Sequence, residues 1–407
     1  MVRGRLRRAV ITIIGTSVLT LAAAGCGDAF SKHPQNTFRP KGPAARTINS
    51  LVTPVFAIAG VVFVLILGGC LFVALKFKAK GDEDFEDLPK QIHGNVKAEL
   101  GWTIAPALIL VVVGVFTVTT IFDLAKKPKS DAIRVEVYGQ QWWWEYRYDL
   151  NRDGKYDEII TANDLVIPAG QQIALRIKSR DVIHSWWSPH LNGKKDAVPG
   201  RTHPLTIQAD HPGEYLGQCT EYCGLSHANM RIKVVAMPAA EFAAWAKRQQ
   251  EPARNPTGST AIEGWKVLTG QCTSCHRIDG LNDPTKGGKD PASSTQAFKY
   301  PKKKNQVSGE VPNLTHLMSR SIFAGGVSSL RKDTKECRAL GENWGQSDKG
   351  QQKCLDRNAL EAWLRNPPGV KPMAPGATMS PKSRGMPNLN LTEQQIDQLV
   401  AYLQTLK

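Results

Sequence analysis

Charge is missing from two long stretches of this 407-residue sequence, between Arg46 and Lys76 and between Glu99 and Asp123. Each exceeds the ~20 residues needed to cross a bilayer as a helix, and such runs are rare in water-soluble cores. Histidine is scarce, with nine in the whole chain. No internal repeat occurs. A basic helix, a Cys/His finger and an aromatic RNA-binding signature are also missing. The net charge of +16 therefore points to a membrane surface or an acidic protein partner, with no nucleic acid. The eight cysteines lack the even scatter of a small disulfide scaffold.

The length suggests two or three domains. Residues 1–25 read as a signal peptide: Arg3, Arg5, Arg7 and Arg8 precede the apolar run Ala9–Leu21. The run Ala23-Ala24-Gly25-Cys26 resembles a lipoprotein processing site, at which Cys26 would become a lipidated N-terminus; an uncleaved anchor is the alternative. Residues 26–46 form a short outer segment. Residues 47–125 form a helical hairpin with a polar loop near 76–99, which puts both flanking parts on the outer face. From Asp131 the pattern becomes period two, as in Arg134-Val135-Glu136-Val137-Tyr138 and Gln172 to Lys178. Gly and Pro turns separate such runs, so 131–240 reads as an all-β sandwich or barrel. A short helix over 239–249 follows. Residues 250–260, with two prolines, read as a linker, and 251–259 as a flexible hinge. Residues 261–407 open and close with helix patterns, the last behind an N-cap signal at Thr392. Residues 280–355, rich in Lys, Gly, Ser and Asn, read as long loops.

The densest chemistry lies in Cys219-Thr220-Glu221-Tyr222-Cys223-Gly224-Leu225-Ser226-His227-Ala228-Asn229-Met230. Two thiolates, an imidazole and a thioether within twelve residues, with His184 upstream, form a soft ligand set suited to copper. Structural zinc seldom recruits Met. A Cys219–Cys223 disulfide is the plain alternative in an oxidising compartment, but it leaves His184, His227 and Met230 unexplained. A single blue copper needs one Cys. The second, four residues on, suggests two bridged copper ions.

This stretch resembles the CuA loop of cytochrome c oxidase subunit II, Cys-x-Glu-x-Cys-x-x-x-His-x-x-Met, at every specified position. The resemblance implies a cupredoxin-like Greek-key domain in which Cys219 and Cys223 bridge both coppers. His184 and His227 would bind one copper each, Met230 would complete one site, and the Glu221 carbonyl the other. It also makes the Glu221 side chain a candidate for a magnesium ion shared with subunit I. Gly139-Gln140-Gln141-Trp142-Trp143-Trp144 resembles the family's aromatic segment, in which the position of Trp142 is the first to receive electrons. Three consecutive tryptophans on a strand cannot share a face, so at least one is expected at the surface. Lys97 to Pro106 resembles the start of the family's second membrane helix, where the acidic position, here Glu99, lies at a proton-pathway entrance in subunit I. A plain interfacial carboxylate is the other reading of Glu99. The resemblance covers roughly 45–240.

Cys272-Thr273-Ser274-Cys275-His276 is the c-type haem attachment motif. Two thioethers and a neighbouring iron ligand predict one covalent haem c in an all-α class I cytochrome c domain. Gly385-Met386-Pro387 resembles the distal ligand segment of single-haem cytochromes, which selects Met386, with Met379 as alternative. Pro312 in Val311-Pro312-Asn313-Leu314 resembles the element that packs on the proximal histidine. Cys337 and Cys354 form a disulfide candidate.

These features together resemble a caa-type haem–copper oxidase subunit II with a fused cytochrome c. Electrons would pass from haem c to CuA and on to subunit I, which reduces dioxygen to water and pumps protons. No histidine pair lies in either apolar run, so dioxygen chemistry falls to another chain. The alternatives are the CuA subunit of a nitric oxide reductase and a non-catalytic membrane copper or electron carrier. Expected partners are oxidase subunits I and III, membrane lipid, and as donor a quinol–cytochrome c reductase or a separate cytochrome. The expected location is a bacterial plasma membrane, with the copper and haem domains outside.

Overall fold

The computed structural model describes residues 33–78, 93–273, 275–280, 311–373 and 384–407. The predicted signal peptide, Cys26 and Met379 lie outside them. Two compact units result, 44–127 and the remainder.

The smaller unit holds two helices, α1 (Pro43–Lys76) and α2 (Val96–Leu124). At 1.5 Å per residue they are roughly 50 and 43 Å long, more than a hydrocarbon core needs. Leu65, Phe72, Leu110 and Phe116 all stand exposed, and α2 buries no residue. A helix apolar on every side needs lipid or partner helices around it. Both helices extend further than the charge pattern suggests, taking in Arg46 and Glu99. The start of α2 is set by Asn95, whose Oδ1 accepts from the Ala98 N–H (3.2 Å), while the Asn95 N–H donates to Glu99 Oε1 (3.1 Å). This reciprocal cap uses Glu99 to satisfy helix-end donors.

The larger unit begins with a β-sandwich. One sheet has the order β3 (Ile159–Ala162), β2 (Trp143–Asp149), β1 (Ile133–Gln140), β5 (Ile173–Ser179), β8 (His203–Ile207). The other has the order β4 (Asp164–Pro168), β10 (Arg231–Met237), β9 (Gly213–Cys219), β6 (His184–Trp187), β7 (Lys195–Ala197). The pairs β1–β5 and β4–β10 are parallel and the others antiparallel. Val135, Val137, Trp144, Tyr146, Leu175, Trp186 and Val234 fill the space between the sheets. Helix α3 (Ala239–Gln249) caps this core with Phe242 and Trp245, and Trp245 lies 5.7 Å from the Tyr148 ring.

A second core follows the linker. Helix α4 (Ser259–Gln271) crosses the C-terminal helix, here α9 (Glu393–Leu403), at Gly264, where a Cβ would strike the Gln398 carbonyl. Between them come the hairpin β11 (Ile322–Phe323) and β12 (Ser328–Ser329), then α5 (Lys335–Ala339), α6 (Asp348–Cys354), α7 (Arg357–Arg365) and α8 (Pro367–Val370). Leu268, Met318, Trp344, Leu360, Ile396 and Val400 pack together. Thr392 and Gln395 form a reciprocal cap at the start of α9.

Three expectations are corrected. The described part of 280–355 is folded: Met318, Trp344 and Cys354 are fully buried, and a Cys337–Cys354 disulfide joins α5 to α6. Its Lys- and Ser-rich composition belongs to the solvent side of short elements. The hinge at 251–259 is fastened, because the Ala253 N–H donates to Asp279 O (2.8 Å) and His316 Nε2 lies 3.0 Å from Glu251 O. Finally, none of the three tryptophans is exposed: Trp142, Trp143 and Trp144 are 4, 8 and 0% accessible. Trp142 and Trp144 join the sandwich core, and residues 324–326 of the C-terminal domain lie against β2.

Candidate functional site

The turn from β9 to β10 is tight. The Cys219 N–H donates to Met230 O, and the short turn at His227–Asn229 folds the intervening loop back. Gly224 sits at φ +111°, a conformation that favours glycine, with its α-carbon against the Gln141 and Trp142 side chains. This brings Cys219 Sγ to 3.8 Å from Cys223 Sγ without a disulfide. Cys223 Sγ lies 3.5 Å from His227 Nδ1 and 3.9 Å from Met230 Sδ. Cys219 Sγ lies 4.0 Å from His184 Nδ1 and 3.3 Å from the Glu221 carbonyl oxygen. The other four expected donors, His184, His227, Met230 and the Glu221 carbonyl, therefore surround the pair of sulfurs. His184, Cys219 and Cys223 bring their ligand atoms within 4.8 Å of one another, all buried.

The set fits copper chemically. Two close thiols resist losing both protons: hydrogen bonding with Cys223 holds the Cys219 thiol well below its ordinary range, while Cys219 pushes Cys223 up. A metal bridging both sulfurs removes that conflict, since it needs two thiolates. His184 is oriented for the same purpose. Its Nε2 lies 2.8 Å from Asp181 Oδ1, which leaves Nδ1 facing the sulfurs. Burial works to lower the His184 pKa, but Asp181 and Cys219 outweigh it and raise it. Asp181 Oδ2 also accepts from the Gln141 N–H (2.7 Å), so one carboxylate ties a metal-site histidine to the tryptophan segment. Sequence reasoning missed Asp181. Its trace is the Asp-x-x-His spacing just before β6.

Trp142 touches the site directly. Its indole N–H donates to Cys223 O (3.1 Å), and the Gln141 amide donates to the same oxygen (2.7 Å). The Trp142 carbonyl is held from the other side by Lys371 of the C-terminal domain, whose ammonium donates to it (2.5 Å) and to Ala324 O (3.1 Å). Burial pulls the Lys371 pKa down to about 7. Ser226 Oγ donates to Pro372 O (2.5 Å), and Arg384 donates to the Gln141 side chain (2.6 Å). Gly325, at φ +71°, abuts the Trp142 carbonyl and the Lys371 ammonium so closely that a Cβ would collide with both and crowd the Asn229 carbonyl. Lys371 was not singled out from sequence, and a lone lysine before a proline gives no signal.

The second cluster lies at the end of α4. The Cys275 and His276 N–H groups donate to Cys272 O (3.0 and 2.8 Å), which curls the motif into one turn. His276 is half-buried, and its Nδ1 lies 2.9 Å from Pro312 O. Burial lowers its pKa, so the ring is neutral, donates from Nδ1 and presents the Nε2 lone pair. Burial raises the Cys272 thiol to about 11. A half-buried imidazole anchored through Nδ1, next to two cysteines in one turn, fits a covalently attached haem. Met386 is half-buried beside Gly385, whose α-carbon packs on Met373. Glu221 is exposed, and Glu99 is engaged in the α2 cap.

Comparison with known proteins agrees with this geometry. Family profiles described as cytochrome c oxidase subunit II, transmembrane domain, and the same subunit's periplasmic domain match residues 35–120 and 133–237. Cytochrome c oxidase subunit 2 of Bacillus sp. strain PS3 is 30% identical over 406 residues, covering 96% of this chain and 95% of that one. The protein of the same name from Alkalihalophilus pseudofirmus is 28% identical over 399 residues, with 96% and 95% coverage. The periplasmic domain of subunit II of cytochrome oxidase from Bradyrhizobium japonicum covers 30% of this chain and 97% of its own, at 29% identity and a TM-score of 0.28. The chain belongs to the cytochrome c oxidase subunit II family, and so serves electron transfer into a haem–copper terminal oxidase as a partner of subunit I.

Proposed function

We propose that this subunit carries its own donor: a haem c attached at Cys272 and Cys275, from which electrons reach a dinuclear CuA centre held by His184, Cys219, Cys223, His227, Met230 and the Glu221 carbonyl. The observation that carries the reading is the docking of the C-terminal domain onto Trp142, whose own indole bonds the Cys223 carbonyl. Bound copper would supply a one-electron store shared over two ions, and bound haem a second one-electron carrier. The chain's residues do the rest. Cys219 and Cys223 would hold the coppers as thiolates, and Asp181 fixes His184. His276, anchored on Pro312, would hold the haem iron through its remaining ring nitrogen, with Met386, or Met379, as a second ligand. Trp142 and Lys371 hold the two domains in register, so that transfer is intramolecular and independent of diffusive encounter.

The Glu221 side chain is a candidate ligand for a magnesium ion at the subunit I boundary, and Glu99 a candidate at a proton entrance. Subunit III, a quinol–cytochrome c reductase and a bacterial plasma membrane belong to the same reading. The purified complex tests it. Two coppers sharing one unpaired electron in the paramagnetic resonance spectrum, with a low-spin haem c that reduces them, are expected. One copper or none would refute the CuA assignment, and absence of covalent haem would refute the fused donor. Consumption of nitric oxide in place of dioxygen would favour the nitric oxide reductase alternative.

A further inference from the structure

The hairpin joining β2 to β3 lies outside the chemistry described above. Its sequence is Asp149-Leu150-Asn151-Arg152-Asp153-Gly154-Lys155-Tyr156-Asp157-Glu158. The first six residues match the opening of a calcium loop, in which oxygen side chains alternate at positions one, three and five before a sharply turning glycine. Gly154 has φ +83°. The twelfth position of such a loop is ordinarily Glu and here is Ile160. The hairpin supplies another closing carboxylate, because Tyr148 pairs with Ile159 and so brings Asp149 and Glu158 together. Carboxylate oxygens of Asp149, Asp153 and Glu158 lie within 4.8 Å of one another.

An acidic hairpin alone would not point to a ligand. The independent observation is two buried oxygens, Asp149 Oδ2 and Glu158 Oε1, that receive no hydrogen bond. The Asp149 side chain is 0% accessible, and the only cation that reaches its Oδ2 among the described residues is half-exposed Arg134, at 3.5 Å. Oδ1 accepts a long 3.3 Å bond from the Gly154 N–H, and Glu158 Oε2 one of 3.4 Å from the Leu150 N–H. Enclosing carboxylate oxygens without donors is costly unless a cation joins them. Asp153 now accepts from the Lys155 ammonium (2.6 Å) and N–H (2.9 Å). That ion pair is exposed and weak, so a divalent ion would displace it at little cost.

We propose that the Asp149–Glu158 hairpin is a divalent-cation site of the calcium class, with Asp149, Asn151, Asp153 and Glu158 as side-chain ligands. Three carboxylates on an adaptable loop suit a larger ion of high coordination number better than magnesium, which demands near-ideal octahedral geometry. The ion would fasten the end of β2 opposite to the Trp142–Trp144 end.

The test uses the whole oxidase complex, stripped with a calcium chelator and titrated with radioactive calcium by equilibrium dialysis. Copper and haem spectra report that each variant has folded. The wild type is expected to bind one more calcium per complex than Asp153→Asn, whose affinity at this site falls about tenfold or more with the lost ligand charge. Asp153 is exposed, so this variant spares the buried Asp149. Lys155→Met should bind more tightly than wild type, because it removes the competing ammonium. Equal calcium stoichiometry and affinity in all three proteins would overturn the site. Magnesium competing as well as calcium would overturn the calcium class.

Discussion

His184 shows how much of the proposed copper centre would reside in residues that never touch the metal. Asp181 receives no ligand role from the sequence motif, yet it fixes the ring so that Nδ1 meets the sulfurs. Removing such an orienting partner typically costs about 10–100-fold in metal affinity. Asp181→Asn should therefore lower copper retention by that order against a competing chelator while the sandwich stays folded. Retention equal to wild type would show that the loop alone orients His184. Lys371 acts on the opposite side of Trp142. Lys371→Met keeps the bulk but leaves the Trp142 and Ala324 carbonyls without their donor, at about 1–3 kcal/mol for each unsatisfied buried group. We expect a lower Tm and a slower haem-to-copper transfer, with an unchanged copper resonance spectrum. An unchanged transfer rate would remove Lys371 from the domain register.

At the scale of elements, the crossing of α4 and α9 is decided by one residue. Gly264→Ala would drive a Cβ into the Gln398 carbonyl, and the helices would have to part. Overpacking of this kind costs about 1–3 kcal/mol. A Tm lowered by several degrees for the C-terminal domain, with the copper domain untouched, is the expected scan. An unshifted Tm would mean that the crossing tolerates the separation. Elements of this kind were largely legible in the sequence. Period-two runs gave the strands, Thr392 and Gln395 marked the start of α9, and missing charge marked α1 and α2. The ligand loop was legible because its donors are contiguous. Less legible were the short elements between 311 and 355, because each is stabilised by long-range burial of Met318 or Trp344 and not by its own periodicity. The Asp149–Glu158 hairpin went unremarked for a different reason: its alternating oxygens were in plain view, but only folding shows which of them are buried.

The whole molecule could not be read from the linker. Proline and glycine at 252–258 suggested freedom, whereas docking depends on charges far apart in sequence. Glu214 of β9 receives Lys233 (2.8 Å) from its own sheet and Arg331 (2.5 Å) from the C-terminal domain. Both cations are 4% accessible, so they depend on that carboxylate. Burial raises the Glu214 pKa, but the two cations outweigh it and hold it below the ordinary value of 4.5. A depressed carboxylate contributes stability above its unfolded pKa, and that contribution is lost as pH falls through the folded value. Asp164 opposes this. It accepts from the Ser321 N–H (2.8 Å) and Oγ–H (3.0 Å) across the same boundary, and burial raises its pKa, so its contribution grows toward acid. Glu214 should prevail, because its protonation leaves two buried cations uncompensated, the more costly outcome. The Tm of the docked domains is therefore expected to fall as pH drops below about 4.5. Glu214→Gln should begin lower at neutral pH and show a much flatter acid limb. If wild type and Glu214→Gln lose stability in parallel, the acid sensitivity lies elsewhere, and this ion cluster is not what holds the C-terminal domain over Trp142.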